Sequence, residues 1–442
     1  VTEKLTPKFE IDIEGSPAPA EVVEKVIAIS VRQDLHLAES CEIKLANDDL
    51  RFSDGDTFAE GKTISIKLGY TDGDLTLVGK GTIARREIDF PERGGSVVTV
   101  VAYDKRFALK KAVKNKTWTD VKDSDVVSEI ASNAGLTADV DTTNDTHKYL
   151  FQKAQTDLSF IAERALKNGY LCSIDRDSGK LSFKKPDTGD AAGVTLEWGK
   201  DLFLFRPRFT SAEQVNEVTV RGWDMASKKM VSGKATPDDL TSKMGLDKIG
   251  ADSAKKAYGA RSVLLPTAAS TADEATDFAK SVINQAAHAF GTGQGACQGD
   301  TRIDAGTVVE IDGVGKRASG KYYVTATLHH YEPRGYTTFF DYMRPGDSPT
   351  PAAAKKSEPA PAPAPDKAAE GPVEDDNVLD LKLTDDQGRP LANEKYKVTL
   401  PDGKVVEGKL DMAGRLRLVS KVKGDAQVTF PDLDVNKRAV TH

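Results

Sequence analysis

From Phe9 to Ala102 the chain repeats one pattern: short runs in which apolar and polar residues alternate. The runs are Phe9, Ile11 and Ile13; Ile27, Ile29 and Val31; Cys41, Ile43 and Leu45; Ile64, Ile66 and Leu68; and Val98, Val100 and Ala102. Successive side chains of a strand point to opposite faces, so each run predicts a strand with one face buried. Turn residues separate the runs at Gly15-Ser16-Pro17, Asn47-Asp48-Asp49, Asp72-Gly73 and Gly94-Gly95. Together they predict an antiparallel all-β domain, a small barrel, over residues 1–112.

The period changes near Trp118. Val126, Val127, Ile130, Ala131 and Ala134 fall on one helical face, with Asp123 or Ser124 as the cap and Gly135 as the stop. A second helix is expected within Tyr149–Tyr170, reading YLFQKAQTDLSFIAERALKNGY, with Leu158, Ile161, Ala162, Ala165 and Leu166 on its apolar face. Asp157 reads as its N-terminal cap, Arg164 as a surface partner and Gly169 as the left-handed stop. A hairpin follows, Tyr170–Ile174 and Leu181–Phe183, so residues 113–192 read as an α+β insert.

Strands resume after Leu196, at Leu202–Phe209 and Asn216–Trp223. The polar segment from Ala226 to Pro266 reads as a long excursion without regular pattern. Thr271 to Glu274 matches a capping box, opening a helical stripe of Ala275, Phe278, Ala279, Val282, Ile283 and Ala286. Strands at Thr307–Ile311, Tyr322–Leu328 and Thr337–Met343 complete a second β-barrel over residues 193–345. Residues 346–376, rich in Pro and Ala, read as a linker favouring extended polyproline II. Residues 377–442 read as a small β module near the lower size limit for an independent core.

The formal net charge of −7 gives no electrostatic footprint for nucleic acid or for an anionic membrane surface. No run approaches the roughly 18 apolar residues of a spanning helix, and the opening VTEKLTPKFE lacks the layout of a signal peptide. Cys41, Cys172 and Cys297 are odd in number and far apart, which predicts buried free thiols and folding in a reducing cytoplasm.

Motifs that resemble chemistry have blander readings. Gly55-x5-Gly61-Lys62-Thr63 is one residue too long for a phosphate loop and leads into a strand rather than a helix. Gly291-Thr-Gly293-Gln-Gly295 follows a helix, the reverse of a dinucleotide loop, and reads as a helix stop with a flexible connection. His329 and His330, adjacent on a strand, face opposite ways and do not make a ligand pair. No nucleophile elbow, zinc-protease helix or catalytic cysteine occurs, and the sequons at Asn115 and Asn144 stand at chance level. No residue is therefore assigned as catalytic, cofactor-binding or metal-ligating, and the chain is expected to be no enzyme and to need no cofactor.

The pattern Gln152 or Gln155, Phe160, Ile161, Arg164, Ala165, Gly169 and Tyr170 resembles the signature of the phage late-control D family, the hub proteins of contractile tails. The N-terminal part of type VI secretion spike proteins shares that fold. Supporting stretches occur in order: Phe9–Ile13 with Gly15, GKTISIKLGY (Gly61–Tyr70), VVAYDK (Val100–Lys105), NEVTVRGWD (Asn216–Asp224) and GKYYVTATLHHYEPRGYTTFF (Gly320–Phe340). The resemblance covers roughly residues 5–345. It implies two related small β-barrels flanking the insert. It also implies a homotrimer whose six similar units let a threefold hub meet a sixfold inner tail tube at the baseplate. The chain departs from fused spike proteins after residue 345, having neither a third barrel nor a needle repeat, so the spike is expected to be a separate protein. Gly388–Leu418 resembles the transthyretin-like β-domains appended to some type VI spikes, which implies a role in holding cargo or another baseplate protein. Assembly is expected in the cytoplasm, and the mature location in a virion tail or injection-particle baseplate. The alternative is a tail-associated wall-degrading or glycan-binding protein.

Overall fold

The computed structural model describes residues 6–188 and 191–349 and, of the remainder, residues 377–383, 395–401, 403–410, 415–420 and 427–430. The chain divides into two compact units, Val1–Ala354 and Lys355–His442.

The first unit is mainly β and is organised by one large sheet of 13 strands. Its main path begins at Leu202–Phe209 and passes through Gly291–Gln298, Gly335–Arg344 and Gly320–Glu332, all from the second half of the unit. It then crosses into the first half through Val26–Asp34, Ser40–Ala46, Val97–Tyr103 and Thr76–Asp89, and ends on Thr63–Tyr70, Pro7–Ile13 and Ser16–Pro17. The crossing is an antiparallel ladder in which Ala326 faces Asp34 and Tyr331 faces Ile29. The expectation of two barrels meets a different pairing: the described strands close neither half, and a single sheet runs through both. Each half nonetheless has its own apolar core. Ile29, Val31, Ile43, Leu45, Ile66, Leu68, Val98 and Val100 fill the first, and Leu196, Leu202, Ile311, Tyr322, Val324, Phe340 and Tyr342 the second.

The alternation places these residues inside with one exception. A bulge between Val26 and Ala28 turns Ile27 outward and gives its inward place to Val26. The glycine-rich stretch after the long helix is not a flexible connection. Gly291–Gln298 is a strand held between Leu202–Phe209 and Gly335–Arg344. A Cβ on Gly295 would lie 2.3 Å from the Phe340 ring, and one on Gly293 2.3 Å from the Arg206 carbonyl, so glycine there makes room for neighbours.

The segment 226–266 is likewise ordered rather than patternless. Lys229–Ala235 and Ser262–Pro266 flank Glu217–Asp224 in a three-stranded sheet, and a short helix occupies Gly250–Tyr258. The helix Ala272–His288 covers that sheet through Ala275, Ala279 and Ile283, against Val218, Val220 and Ala235.

In the insert, helices Asp123–Asn133 and Asp157–Asn168 pack with the Leu171–Ile174 and Leu181–Lys184 hairpin around Trp118, Val127, Ile130, Phe160, Ile161 and Phe183. Trp118 and Phe160 stack with ring centroids 5.5 Å apart. The cap of the second helix is Thr156, whose hydroxyl accepts the Ser159 N–H at 3.2 Å, and not Asp157. Gly169 takes the left-handed conformation that ends the helix.

Of the expected linker, residues 350–376 lie outside the described residues. Ser348–Pro349 pairs with Leu246–Lys248 and so belongs to the first unit. In the second unit Asn377–Lys382 pairs with Arg415–Ser420, and Lys395–Thr399 lies between Val405–Lys409 and Gln427–Thr429. Val398, Leu410 and Leu416 are its buried centre. Much of Gly388–Leu418 lies outside the described residues.

Candidate functional site

Two charged clusters, one buried and one half-buried, hold the insert to the rest of the first unit. The first centres on Arg164. It occupies the stripe of Phe160, Ile161 and Ala165, so the helix carries it inward, and it is only 2% exposed rather than a surface partner. Its Nη2 donates to Asp123 Oδ2 at 2.8 Å and its Nε to Asp123 Oδ1 at 2.5 Å. Asn168 donates to the same carboxylate at 2.8 Å, and His147 Nε2 lies 3.2 Å from it. Glu274, from the long helix, closes the group with Oε1 3.8 Å from both Arg164 and His147. Burial alone would raise the Asp123 carboxyl. The hydrogen bonds and charges of His147 and Arg164 outweigh it and hold Asp123 well below the usual carboxylate range.

The second cluster centres on Arg176, in the turn of the insert's hairpin. It donates to Glu39 at 2.8 Å and to Asp304 at 2.7 Å, joining the first half, the insert and the second half in one bridge. Burial raises the Glu39 carboxyl, partly offset by Arg176. Beside it, Asp104 accepts from the Glu39 N–H and from Arg106, whose Nη1 donates to the Cys172 carbonyl. The members of these clusters bond to one another. Their chemistry is that of clamps.

The residues tested for chemistry from sequence are dispersed. Gly55 ends a short helix, Arg51–Asp54, and Thr63 begins a strand. His329 is 1% exposed, with Nδ1 2.8 Å from the Tyr336 hydroxyl; burial pushes its pKa down to about 4. His330, on the other face, bonds Ser30 at 2.9 Å. Burial raises all three thiols, that of Cys172 to about 11. Among the described residues, no group of three or more His, Cys, Asp or Glu side chains is placed to hold a metal ion. No described helix is long and apolar enough to cross a membrane.

The extended surface that does stand out is the sheet face turned away from both cores. Ladder partners share a face, which places Arg206, Gln294 and Asp341 together, then Leu328 with Arg32, and finally Thr99 with Glu87. It is a polar face eight strands wide, from Leu202–Phe209 to Thr76–Asp89. Its alternation is legible in each strand's own sequence but its continuity is not, because the strands that meet at Tyr331 and Ile29 lie about 300 residues apart.

Comparison with solved structures places this fold. The 43 kDa tail protein of prophage MuSo2 from Shewanella oneidensis aligns with a TM-score of 0.56 at 13% identity, covering 77% of this chain and 98% of that one. The tail protein from Neisseria meningitidis MC58 aligns with a TM-score of 0.56 at 12% identity, covering 76% and 96%. At these identities the likeness is one of fold: the first unit has a phage tail-protein fold. No curated protein matches the sequence. The family model described as the Alg8 N-terminal domain matches residues 3–332 of the 442. With a match that spans most of the two-part sheet and the whole insert between its halves, the chain belongs to the Alg8 N-terminal domain family.

Proposed function

We propose that this protein is a structural hub of a contractile phage tail or contractile injection system, of the late-control D type and without enzymatic activity. In this reading it is a homotrimer. Each half of the large sheet is one barrel-like unit, and the six units of three chains adapt the sixfold inner tube to a threefold spike carried by a separate protein. The observation that carries the reading is the fold likeness to tail proteins over nearly their whole length. The two charged clamps support it, since a load-bearing adaptor needs its parts fixed to one another rather than hinged. Residues 377–442 serve as a transthyretin-like appendage for cargo or a further baseplate protein, tethered by the segment 350–376. Assembly takes place in the cytoplasm and the mature protein sits in the tail or particle baseplate.

The test is co-purification of the full chain with the tube and spike proteins of its own gene neighbourhood, followed by mass measurement. A complex with three copies of this chain against rings of six tube subunits is the expected result. A monomer that turns over peptidoglycan, or binds glycan, supports the wall-degrading or adhesive alternative instead.

A further inference from the structure

The three-stranded sheet of Lys229–Ala235, Glu217–Asp224 and Ser262–Pro266 is covered on one face only. Val218 and Val220 point toward the helix Ala272–His288, which lies so close that a Cβ on Gly233 would stand 2.1 Å from the Thr276 nitrogen. Thr219, Arg221 and Trp223 alternate with them and point away. Ladder partners share a face, so Trp223 stands beside Met230, Arg221 beside Pro266 and Thr219 beside Leu264. Trp223 is 51% exposed, Leu264 53% and Met230 60%. Large apolar side chains gathered on one open surface mark a place where another molecule lies.

The charges on this face select the occupant. Arg221 is exposed in the middle of the patch, and its guanidinium has no side-chain partner among the described residues. The acids of its own strand are already taken. Glu217 bridges Lys234 at 3.6 Å, and Asp224 accepts from the Ser227 hydroxyl at 2.5 Å and from the Ala226 N–H at 2.8 Å. From Arg221 to Arg261 the chain holds nine Lys and Arg against five Asp, in a protein whose net charge is −7. The potential over the face is therefore positive. Once apolar contacts expel water from around Arg221, its charge needs a carboxylate, and the occupant has to bring it. Tryptophan, methionine and arginine are also enriched at protein interfaces. Stacked nucleotides need successive aromatic platforms, and this face has one.

Strand spacing fixes the occupant's shape. From Trp223 to Arg221, and from Arg221 to the level of Leu264, is two residues of strand each, about 6.6 Å a step. Four residues of α-helix rise about 6 Å. A helix laid along the strands thus sets residue i on Trp223 and Met230, i+4 on Arg221 and i+8 on Leu264, all from one helical face. We infer that this face is the docking site for an amphipathic helix of another protein, apolar at i and i+8 and carrying Asp or Glu at i+4. Bound there, the partner helix gives the sheet a second cover opposite Ala272–His288, completing a helix–sheet–helix sandwich. Each described helix of this chain shows at most one exposed large apolar side chain, so a helix of a second copy does not supply the pattern.

The test titrates the full chain with a synthetic peptide of about 16 residues, stapled on its outer side because helices this short fray in water. It carries Leu at i and i+8 and Glu at i+4; a second peptide carries Lys at i+4. The Glu peptide is expected to saturate the chain below about 1 mM, and the Lys peptide to bind about tenfold more weakly. Arg221→Glu is expected to reverse that order, a swap that loss of folding does not produce. Met230→Ser with Leu264→Ser should weaken the Glu peptide by about tenfold or more. Absence of saturable binding, or binding that ignores Arg221→Glu, overturns the helix site. So does tighter binding of oligothymidylate or of a chitin fragment that Trp223→Ser removes, which gives the face to a nucleic acid or a glycan. Self-association of the chain that Leu264→Ser abolishes gives it to a second copy and overturns the inference equally. The result bears on this face alone and leaves the hub reading as it stands.

Discussion

Arg164 sits on the buried side of its helix because Asp123, His147, Asn168 and Glu274 supply the partners its charge requires. Truncating it leaves Asp123 buried without its counter-charge. Arg164→Met is expected to destabilise the first unit by about 3–5 kcal/mol in denaturant melts, and the paired change with Asp123→Asn to recover much of that loss. The position was half-legible: an arginine inside an apolar stripe signals a buried pair, but which carboxylate meets it depends on a helix 41 residues upstream. His329 sets a pH dependence. Its folded pKa of about 4 lies below its ordinary 6.5, so below pH 6.5 the unfolded chain takes up a proton that the folded chain refuses. Stability therefore falls as pH drops from 6.5 toward 4, by roughly 3 kcal/mol from this group. His288, also depressed by burial, acts in the same direction. Asp123, held low, contributes stability above its ordinary value that is lost as pH falls through and below it. Melting temperature against pH should show both stages, and His329→Asn should shrink the upper one while leaving the lower.

At the scale of elements, the strand Gly291–Gln298 shows how far pattern carries and where it stops. Strands of the first half announce themselves because one face is apolar at every second residue. This one has glycines where the inward side chains would be, since the Phe340 and Tyr342 rings from the neighbouring strand occupy that space. Its apolar content is supplied by its partner, so no periodicity is visible along its own sequence. The segment 226–266 escaped for a related reason: its three-stranded sheet buries Val218, Val220, Ala235 and their neighbours against one helix, while Trp223, Met230 and Leu264 stand exposed on the other face, so apolar residues fall on both sides and no alternation is visible. Gly295→Ala places a methyl against the buried Phe340 ring and is expected to cost about 1–3 kcal/mol, read as a lower denaturant midpoint at unchanged m-value.

For the whole molecule, the chain divides at Ala354, and the described cores of the first unit are built from its own residues. A chain ending at Ala354 should stay soluble and melt within a degree or two of the full chain's first transition. A truncated protein that precipitates or melts well below it would contradict the partition. Composition and alternation made the β character legible, whereas the joining of two halves into one sheet was not, because it depends on pairing between residues about 300 apart. That same ladder has a consequence for synthesis. Val26–Asp34 leaves the ribosome early but waits for Ala326–Tyr331 before its second edge is covered. At about 5–20 residues per second the wait is roughly 15–60 s, longer than most local structure takes to form. Throughout that interval the nascent chain carries a naked, strand-competent border. The cell that makes this protein has to shield that border during translation, and slowing elongation before residue 326 should raise aggregation more than slowing it afterwards.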